Sequence, residues 1–222
     1  MRKLSVLFGL FMFLGFVSCD ENVKKSYYKN GALESELHYH DGKLNGESCW
    51  YDSLGQMVKK ATYEDDVLEG HLLSWHENGQ LKEDCWYKGG KLDSVFRSFS
   101  AKGLLVSERH YCEGKLNGDY RKWYDNGQVF QEGQYADDLM DGLWLVFYPS
   151  GALASKAEYD KGTGKQVCFA ESGFKCLEVS YLNNLKHGFE YCYSPDGRMT
   201  RIVEYKNGEM ISENNHPTNG EE

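Results

Sequence analysis

The chain has 222 residues, of which 14% are aromatic and 27% are charged, and its formal net charge at pH 7 is −9. So many large rings exclude an intrinsically disordered chain. An acidic chain without a cluster of Lys or Arg residues excludes a nucleic-acid-binding protein.

Residues 1–18 have the pattern of a signal peptide. Arg2 and Lys3 precede a predominantly apolar run from Leu4 to Val17, which is short for a membrane span. Ser18-Cys19 follows directly and resembles a lipoprotein signal, in which cleavage exposes a cysteine that is then acylated. We therefore expect a lipid on Cys19, with residues 19–26 as a tether; the alternative is ordinary secretion. Cleavage removes two of the 25 basic residues and none of the 34 acidic ones, which leaves a net charge of −11.

From residue 27 to residue 210 the chain repeats itself. Eight glycines, here called turn glycines, recur every 24 residues, with one spacing of 22. An aromatic residue lies four positions before each turn glycine and a tyrosine lies eight positions after it. A fixed period in this range predicts a repeat array. The turn glycines are Gly31, Gly55, Gly79, Gly103, Gly127, Gly151, Gly173 and Gly197; the aromatics before them are Tyr27, Tyr51, Trp75, Phe99, Trp123, Phe147, Phe169 and Tyr193; the tyrosines after them are Tyr39, Tyr63, Tyr87, Tyr111, Tyr135, Tyr159, Tyr181 and Tyr205.

A second glycine lies five residues before most of the later aromatics, and Ser94 replaces it once. The one short unit lacks two residues between Tyr159 and Gly164. We expect this stretch to be a turn, where deletions are tolerated best. The second glycines are Gly46, Gly70, Gly118, Gly142, Gly164 and Gly188.

Each unit has the sequence of a β-hairpin. Asp125-Asn126-Gly127 separates two aromatic-rich runs, which predicts a three-residue loop with the glycine in the left-handed conformation. Strict alternation along the strands would place the aromatic, the tyrosine and an aliphatic residue two positions after the glycine on one face. Polar residues such as Arg121, Gln131 and Glu158 would line the other face.

The predicted fold is therefore all-β. We expect an elongated, twisted antiparallel β-meander of about eight 24-residue hairpin repeats over residues 27–210, followed by a flexible tail at residues 211–222. A lone hairpin is marginally stable in water, so stacking of the units must supply the stability.

The unit from Tyr124-Asp-Asn-Gly127 through Gly133-Gln-Tyr135 to Asp141-Gly142-Leu-Trp resembles the MORN-repeat superfamily. More narrowly it is similar to the bacterial variant of YwqK-type antitoxin proteins. The resemblance covers residues 27–210, nearly all of the chain after the signal segment. It implies a hairpin array used for contacts, an antitoxin or immunity role with a toxin domain as partner, and no catalytic residues to carry over.

Two interpretations of the aromatic rows remain open at this stage: a hydrophobic core strip, or an exposed platform for a partner. We expect a non-catalytic lipoprotein of the cell envelope, at the outer membrane, that binds a protein partner and uses no cofactor. The alternative is a carbohydrate-binding or envelope-structural module that stacks glycans on its rings. The candidate contact residues are Trp75, Trp86, Trp123, Tyr135 and Trp144.

Cysteine and histidine spacing gives little sign of a metal site. No Cys-x-x-Cys occurs, and His38 and His110 would lie roughly 29 Å apart in a flat sheet, so we expect no metal. Cys168 and Cys176 flank the turn at Gly173 and form a candidate disulfide. The alternative is that the cysteines are free and fill strand positions as small apolar residues.

Overall fold

The computed structural model describes residues 21–215, and over that range it contains 18 β-strands and no helix. All strand pairs are antiparallel and belong to one open sheet, which confirms the predicted all-β meander. The strands are β1 (Glu21–Tyr27), β2 (Leu33–His40), β3 (Lys43–Leu44), β4 (Gly46–Tyr51), β5 (Met57–Glu64), β6 (Val67–Trp75), β7 (Leu81–Lys88), β8 (Lys91–Phe99), β9 (Leu105–Cys112), β10 (Lys115–Trp123), β11 (Val129–Ala136), β12 (Leu139–Phe147), β13 (Leu153–Asp160), β14 (Thr163–Phe169), β15 (Lys175–Leu182), β16 (Leu185–Tyr193), β17 (Met199–Lys206) and β18 (Glu209–Asn215).

Pairing follows the order of the chain. β3 and β4 both pair with β2 and together fill one position, and every later strand pairs with the next one. Asn45 separates β3 from β4, and its N–H still donates to the carbonyl of His38 at 2.9 Å. Since each strand pairing joins segments that are close in the chain, the meander is built from local pairings.

The turn glycines close three-residue loops along one margin of the sheet. Gly127 has a φ of 82°. Its N–H donates to the carbonyl of Tyr124 at 2.9 Å, and the Tyr124 N–H donates to the carbonyl of Gln128 at 2.8 Å. This is the predicted hairpin loop, in which glycine takes a conformation that a Cβ would strain.

Two-residue turns close the hairpins along the opposite margin. Both residues of each turn have positive φ, for example 48° at Asp65 and 69° at Asp66, which defines type I′ turns. Asp, Asn and Gly dominate because they tolerate this region best. The turns are Asp41-Gly42, Asp65-Asp66, Gly89-Gly90, Glu113-Gly114, Asp137-Asp138, Lys161-Gly162, Asn183-Asn184 and Asn207-Gly208.

Hydrogen bonds join successive turns along both margins. At the two-residue turns, the Asp66 N–H donates to the carbonyl of Leu44 at 2.9 Å, and the Asp66 carboxylate accepts from the Leu44 N–H at 2.7 Å. At the three-residue loops, Asn126 Nδ2 donates to the carbonyl of Pro149 at 3.1 Å. Successive units are therefore tied together at both margins as well as through the strand ladders.

A β-bulge lies next to each aromatic residue that is four positions before a turn glycine. In β10 and β11, Lys122 pairs with Gln131 but Trp123 pairs with Val129, so one extra residue lies between the two pairs. Because neighbours in a strand alternate, Trp123 faces the side opposite to Lys122, whereas Tyr135 shares the side of Gln131. The expectation that the aromatics and tyrosines share one face is therefore wrong, and the bulge is the reason.

The two faces can now be defined. The packed face carries Tyr120, which pairs with Gly133, together with Gln131 and the tyrosines eight residues after the turn glycines. The ladder face carries Arg121 and, by alternation, Trp123. Alternation within each strand puts Gln131 on the side of Tyr135 and Arg121 on the side of Trp123, so the expectation that they line the opposite face was wrong irrespective of the bulge.

The core consists of two clusters on the packed face. One contains Ala61, Leu72 and Cys85; the other contains Tyr120, Trp144, Ala157 and Tyr159. Five of the eight tyrosines after the turn glycines belong to or pack against these clusters, namely Tyr63, Tyr87, Tyr135, Tyr159 and Tyr181; none of the aromatics four residues before the turn glycines does so. Residues six positions after the turn glycines form a central column of mostly small side chains: Leu37, Ala61, Cys85, Arg109, Gly133, Ala157, Val179 and Val203.

The short unit has lost a bulge, and its turn is intact. Between β11 and β12, Gln134 pairs with Asp141 and Glu132 pairs with Leu145, so β12 has two more residues than β11 between these pairs. This bulge includes Gly142, whose φ is 64°. Between β13 and β14, pairing is regular throughout. The Lys161-Gly162 turn keeps both residues. The expected turn deletion is therefore corrected to the removal of a two-residue bulge.

The sheet extends beyond residues 27–210 at both ends. β1 pairs with β2, so residues 21–26 of the expected tether lie in a strand. β18 pairs with β17, so residues 211–215 of the expected tail also lie in a strand. The signal segment, Cys19 and residues 216–222 lie outside the described residues. Within residues 21–215, no helix is long and apolar enough to cross a membrane.

Candidate interaction faces

Alternating charges run along the middle of the ladder face. Asp84, Arg97, Glu108, Arg121 and Glu132 are successive cross-strand partners on β7 to β11. Arg97 Nε lies 2.7 Å from the Glu108 carboxylate, and Arg121 Nη2 lies 2.9 Å from the Glu132 carboxylate. Exposed pairs of this kind each stabilise a fold by about 0–1 kcal/mol. Their main effect is to neutralise one another, so this stretch has little net charge.

Cations on the packed face lie over aromatic rings instead. Lys59 Nζ is 4.8 Å from the centre of the Trp50 ring, the Arg109 guanidinium is 5.3 Å from the Phe96 ring, and Lys122 Nζ is 5.8 Å from the Tyr120 ring. Within residues 21–215 none of these three cations forms an ion pair with a carboxylate. Such cation–π contacts stabilise a cation without neutralising its charge.

The five candidate contact residues lie on both faces. Trp86 is on the ladder face, 48% exposed, with its ring centre 5.6 Å from that of His71. Trp75 and Trp123 are half-buried near the three-residue loops. Tyr135 and Trp144 lie together on the packed face, where Trp144 is 3% exposed and is inaccessible to a partner.

Two exposed apolar side chains on the ladder face are not among the five candidate contact residues. Leu143 and Phe189 occupy equivalent positions in different units and are 58% and 46% exposed. A shallow depression of about 350 Å³ lies beside Leu143 and is also lined by Leu145, Arg121 and Glu132. Both residues lie one position after a second glycine, and this shared position in the repeat is the sequence feature that could have identified them.

Five segments of the chain match the family described as the MORN repeat variant. These five segments are similar to MORN-variant repeats, and the whole meander is here called the MORN-variant array. The matches begin in β1 and end in the turn after β13, and the remaining units of the MORN-variant array have the same hairpin although they are not matched. The matched residues are 21–41, 44–65, 68–88, 116–137 and 140–161.

Among solved structures, the array is similar to a chain of "Crystal Structure of TcdB2-TccC3". The two share 11% sequence identity, with a TM-score of 0.18, over 82% of this chain and 14% of the other. This chain thus spans about one seventh of the solved one. A likeness this distant carries no argument about function. No curated protein sequence matches the chain.

The six cysteines of the described part of the MORN-variant array are free thiols. The bulge pairs Cys168 with Leu177 and leaves Cys176 one residue out of register, and both thiols of the candidate disulfide are free in this structure. Burial, and then the neighbouring Cys176 thiol, raise the pKa of Cys168 to about 11.

Burial also governs the tyrosines of the packed face. It raises the pKa of Tyr135 to about 12, with the nearby Tyr120 hydroxyl as a smaller cause in the same direction. It likewise raises the pKa values of Tyr63, Tyr87 and Tyr181. These hydroxyls stay neutral at physiological pH, as suits a packing role. Across residues 21–215, no three His, Cys, Asp or Glu side chains are grouped to hold a metal ion.

Proposed function

We propose that the MORN-variant array is a non-catalytic scaffold that binds a protein partner on its ladder face. The observation that supports this most directly is the exposure of Trp86, Leu143 and Phe189 on that face of a one-layer sheet. Exposed apolar groups beside charged ones are typical of protein interaction surfaces.

The chemistry of the chain favours a basic partner. The net charge after cleavage of the expected signal would be −11, and Asp65, Asp66, Asp137 and Asp138 all project from one margin of the sheet. An acidic surface speeds association with a basic protein and makes it sensitive to salt. The resemblance to YwqK-type proteins extends the proposal to a toxin domain as partner, in an antitoxin or immunity role.

We further propose that the scaffold is an envelope lipoprotein at the outer membrane, held by a lipid on Cys19. A mass measurement of the mature N-terminal peptide tests the lipid. Cys19→Ala should move the chain from the membrane fraction to the soluble fraction. A mature N-terminus beyond Cys19 would contradict this part without affecting the binding proposal.

The binding proposal is tested with a partner identified by crosslinking in the source cells and then purified. Trp86→Ala and Leu143→Ser should each weaken its affinity for the full chain by about tenfold, the effect of losing an exposed apolar anchor. Leu54→Ser is the matched control, because Leu54 is an exposed leucine (81%) in a three-residue loop away from the ladder face. It should change affinity by less than about twofold.

Two results would count against this function. If Trp86→Ala and Leu143→Ser both bind the partner as tightly as the parent chain, the ladder face is not part of the interface. Alternatively, a glycan array could show binding that depends on Trp86 while no protein partner is found, which would support the carbohydrate-binding alternative.

A further inference from the structure

Arg109 interrupts the central column of the packed face. In the other units this position, six residues after the turn glycine, carries a small or aliphatic side chain. Arg109 pairs across the sheet with Phe96 on β8 and with Tyr120 on β10. It therefore lies between the two hydrophobic clusters, at the point where the core is discontinuous.

The Arg109 side chain is poorly satisfied in this position. Its Nη2 donates to Ser107 Oγ at 3.3 Å, whereas its Nε is buried and has no hydrogen-bond partner among residues 21–215. No carboxylate of the described residues pairs with it. A half-buried guanidinium without a counter-charge costs free energy. The folded array therefore carries an unpaired positive charge at this point, which an anionic group of a ligand could neutralise.

A second cation and the Ser107 hydroxyl lie beside the guanidinium. Lys122 pairs with Ser107, so it is the diagonal neighbour of Arg109, with Cβ atoms about 7 Å apart. Ser107 Oγ also exchanges a hydrogen bond of 2.7 Å with Ser98 Oγ. The nearby carboxylate of Glu83 accepts a hydrogen bond from Ser74. Two unpaired cations thus face the same patch of an otherwise acidic chain.

We propose that Arg109 and Lys122 form a binding site for a carboxylate, the acidic side chain of an extended protein segment laid across the packed face. This rests on the proposed function, and it places one acidic segment of the otherwise basic partner on the packed face, opposite the ladder face that the rest of the partner contacts. The planar guanidinium matches a carboxylate through two parallel hydrogen bonds. The half-buried Phe96 ring beside Arg109 would contact the hydrocarbon stem of a Glu side chain.

The test uses the full chain and a labelled short peptide of alternating Thr and Glu, which places every Glu on one side when extended. The same peptide with Gln in place of Glu is the reference probe. The Glu peptide should bind more tightly than the Gln peptide, and Arg109→Met should remove the difference, a loss of about tenfold in affinity. Arg109→Lys should retain part of it.

Arg121→Met is the matched control, because Arg121 is already neutralised by Glu132 on the ladder face. It should change affinity for the Glu peptide by less than about twofold. Arg109→Met should also raise the thermal midpoint by about 2–4 °C, since an unpaired charge is replaced by an apolar chain. That rise separates loss of binding from loss of fold.

Equal binding of the Glu peptide by Arg109→Met and the parent chain would overturn the site. So would an equal loss in Arg121→Met. Binding of inorganic phosphate or a phosphoserine peptide, without binding of the Glu peptide, would overturn the carboxylate assignment. A natural partner that binds Arg109→Met normally but fails to bind Trp86→Ala would leave the proposed function intact and remove this site alone.

Discussion

The Trp144 ring lies over the Cα of Gly133, in the space that any other residue would fill with its side chain. The indole Nε1 donates to the carbonyl of Gln134 at 2.9 Å. The Tyr120 and Tyr135 rings pack beside the indole, with centres 5.4 Å and 4.9 Å from its centre. Gly133 is therefore set by packing, since its φ is not in the left-handed region.

Gly133→Ala should destabilise the array. The added methyl group overlaps the Trp144 ring, and overpacking of this kind costs about 1–3 kcal/mol. Urea denaturation followed by tryptophan fluorescence measures the change. In a Trp144→Ala background the clash is absent, so the same substitution should cost less than about 0.5 kcal/mol. An equal cost in both backgrounds would show that the ring is not the obstacle.

Ser94→Gly should stabilise the array. Ser94 has a φ of 69° at a position where other units place a second glycine with positive φ, and its side chain is exposed. Replacing a non-glycine residue in the left-handed conformation by glycine raises the free energy of unfolding by about 1 kcal/mol. The converse substitution Gly118→Ser should destabilise, because Gly118 has a φ of 104° and its added Cβ would lie 3.2 Å from His110 Cβ. Paired urea titrations measure both, and a loss of stability in Ser94→Gly contradicts the prediction.

Stability should fall at alkaline pH through the buried tyrosines. The pKa of Tyr135 rises from 10.0 to about 12 on folding because burial disfavours the phenolate. A raised pKa means that the folded chain holds the proton more tightly. The contribution is therefore complete below pH 10 and is lost as the pH rises towards 12. Thermal midpoints across this range should drop less steeply in Tyr135→Phe; identical slopes would rule out Tyr135 as a source.

Thiol reactivity should follow burial. Cys112 is exposed, whereas Cys85 is 2% exposed and burial raises its pKa to about 12. Since the thiolate is the reactive form, iodoacetamide should label Cys112 first and Cys85 only after unfolding. Peptide mass spectrometry reads both sites. A Cys168–Cys176 disulfide in the same digest would contradict the free thiols described above.

The repeat period predicted the strands and their loops because each depends on local sequence. Asp125-Asn126-Gly127 encodes a loop that forms in the same way in every unit. The pattern did not predict the faces, because the bulge at Lys122 and Trp123 has no glycine or proline to mark it. One inserted residue reverses the side on which the rest of the strand points.

The candidate site was harder to predict for a related reason. Residue type alone does not separate Trp144 from an exposed contact residue, because the space left by the missing side chain of Gly133 lets the indole pack into the core. Trp86 has the same residue type but lies beside His71 on the ladder face and stays exposed. Arg109 is identified only when the column of small residues is aligned across strands, and that alignment depends on the bulges.

The two edge strands, β1 and β18, are separated by the whole width of the meander. A load applied between the chain ends therefore acts across the hydrogen-bond ladders, where each bond is stretched in turn rather than sheared together with its neighbours. The array would lengthen by releasing one strand at a time at low force, and the turn-to-turn bonds at the margins would set the size of each step. Under tension between its two edge strands, the sheet would therefore extend stepwise rather than resist as a rigid body.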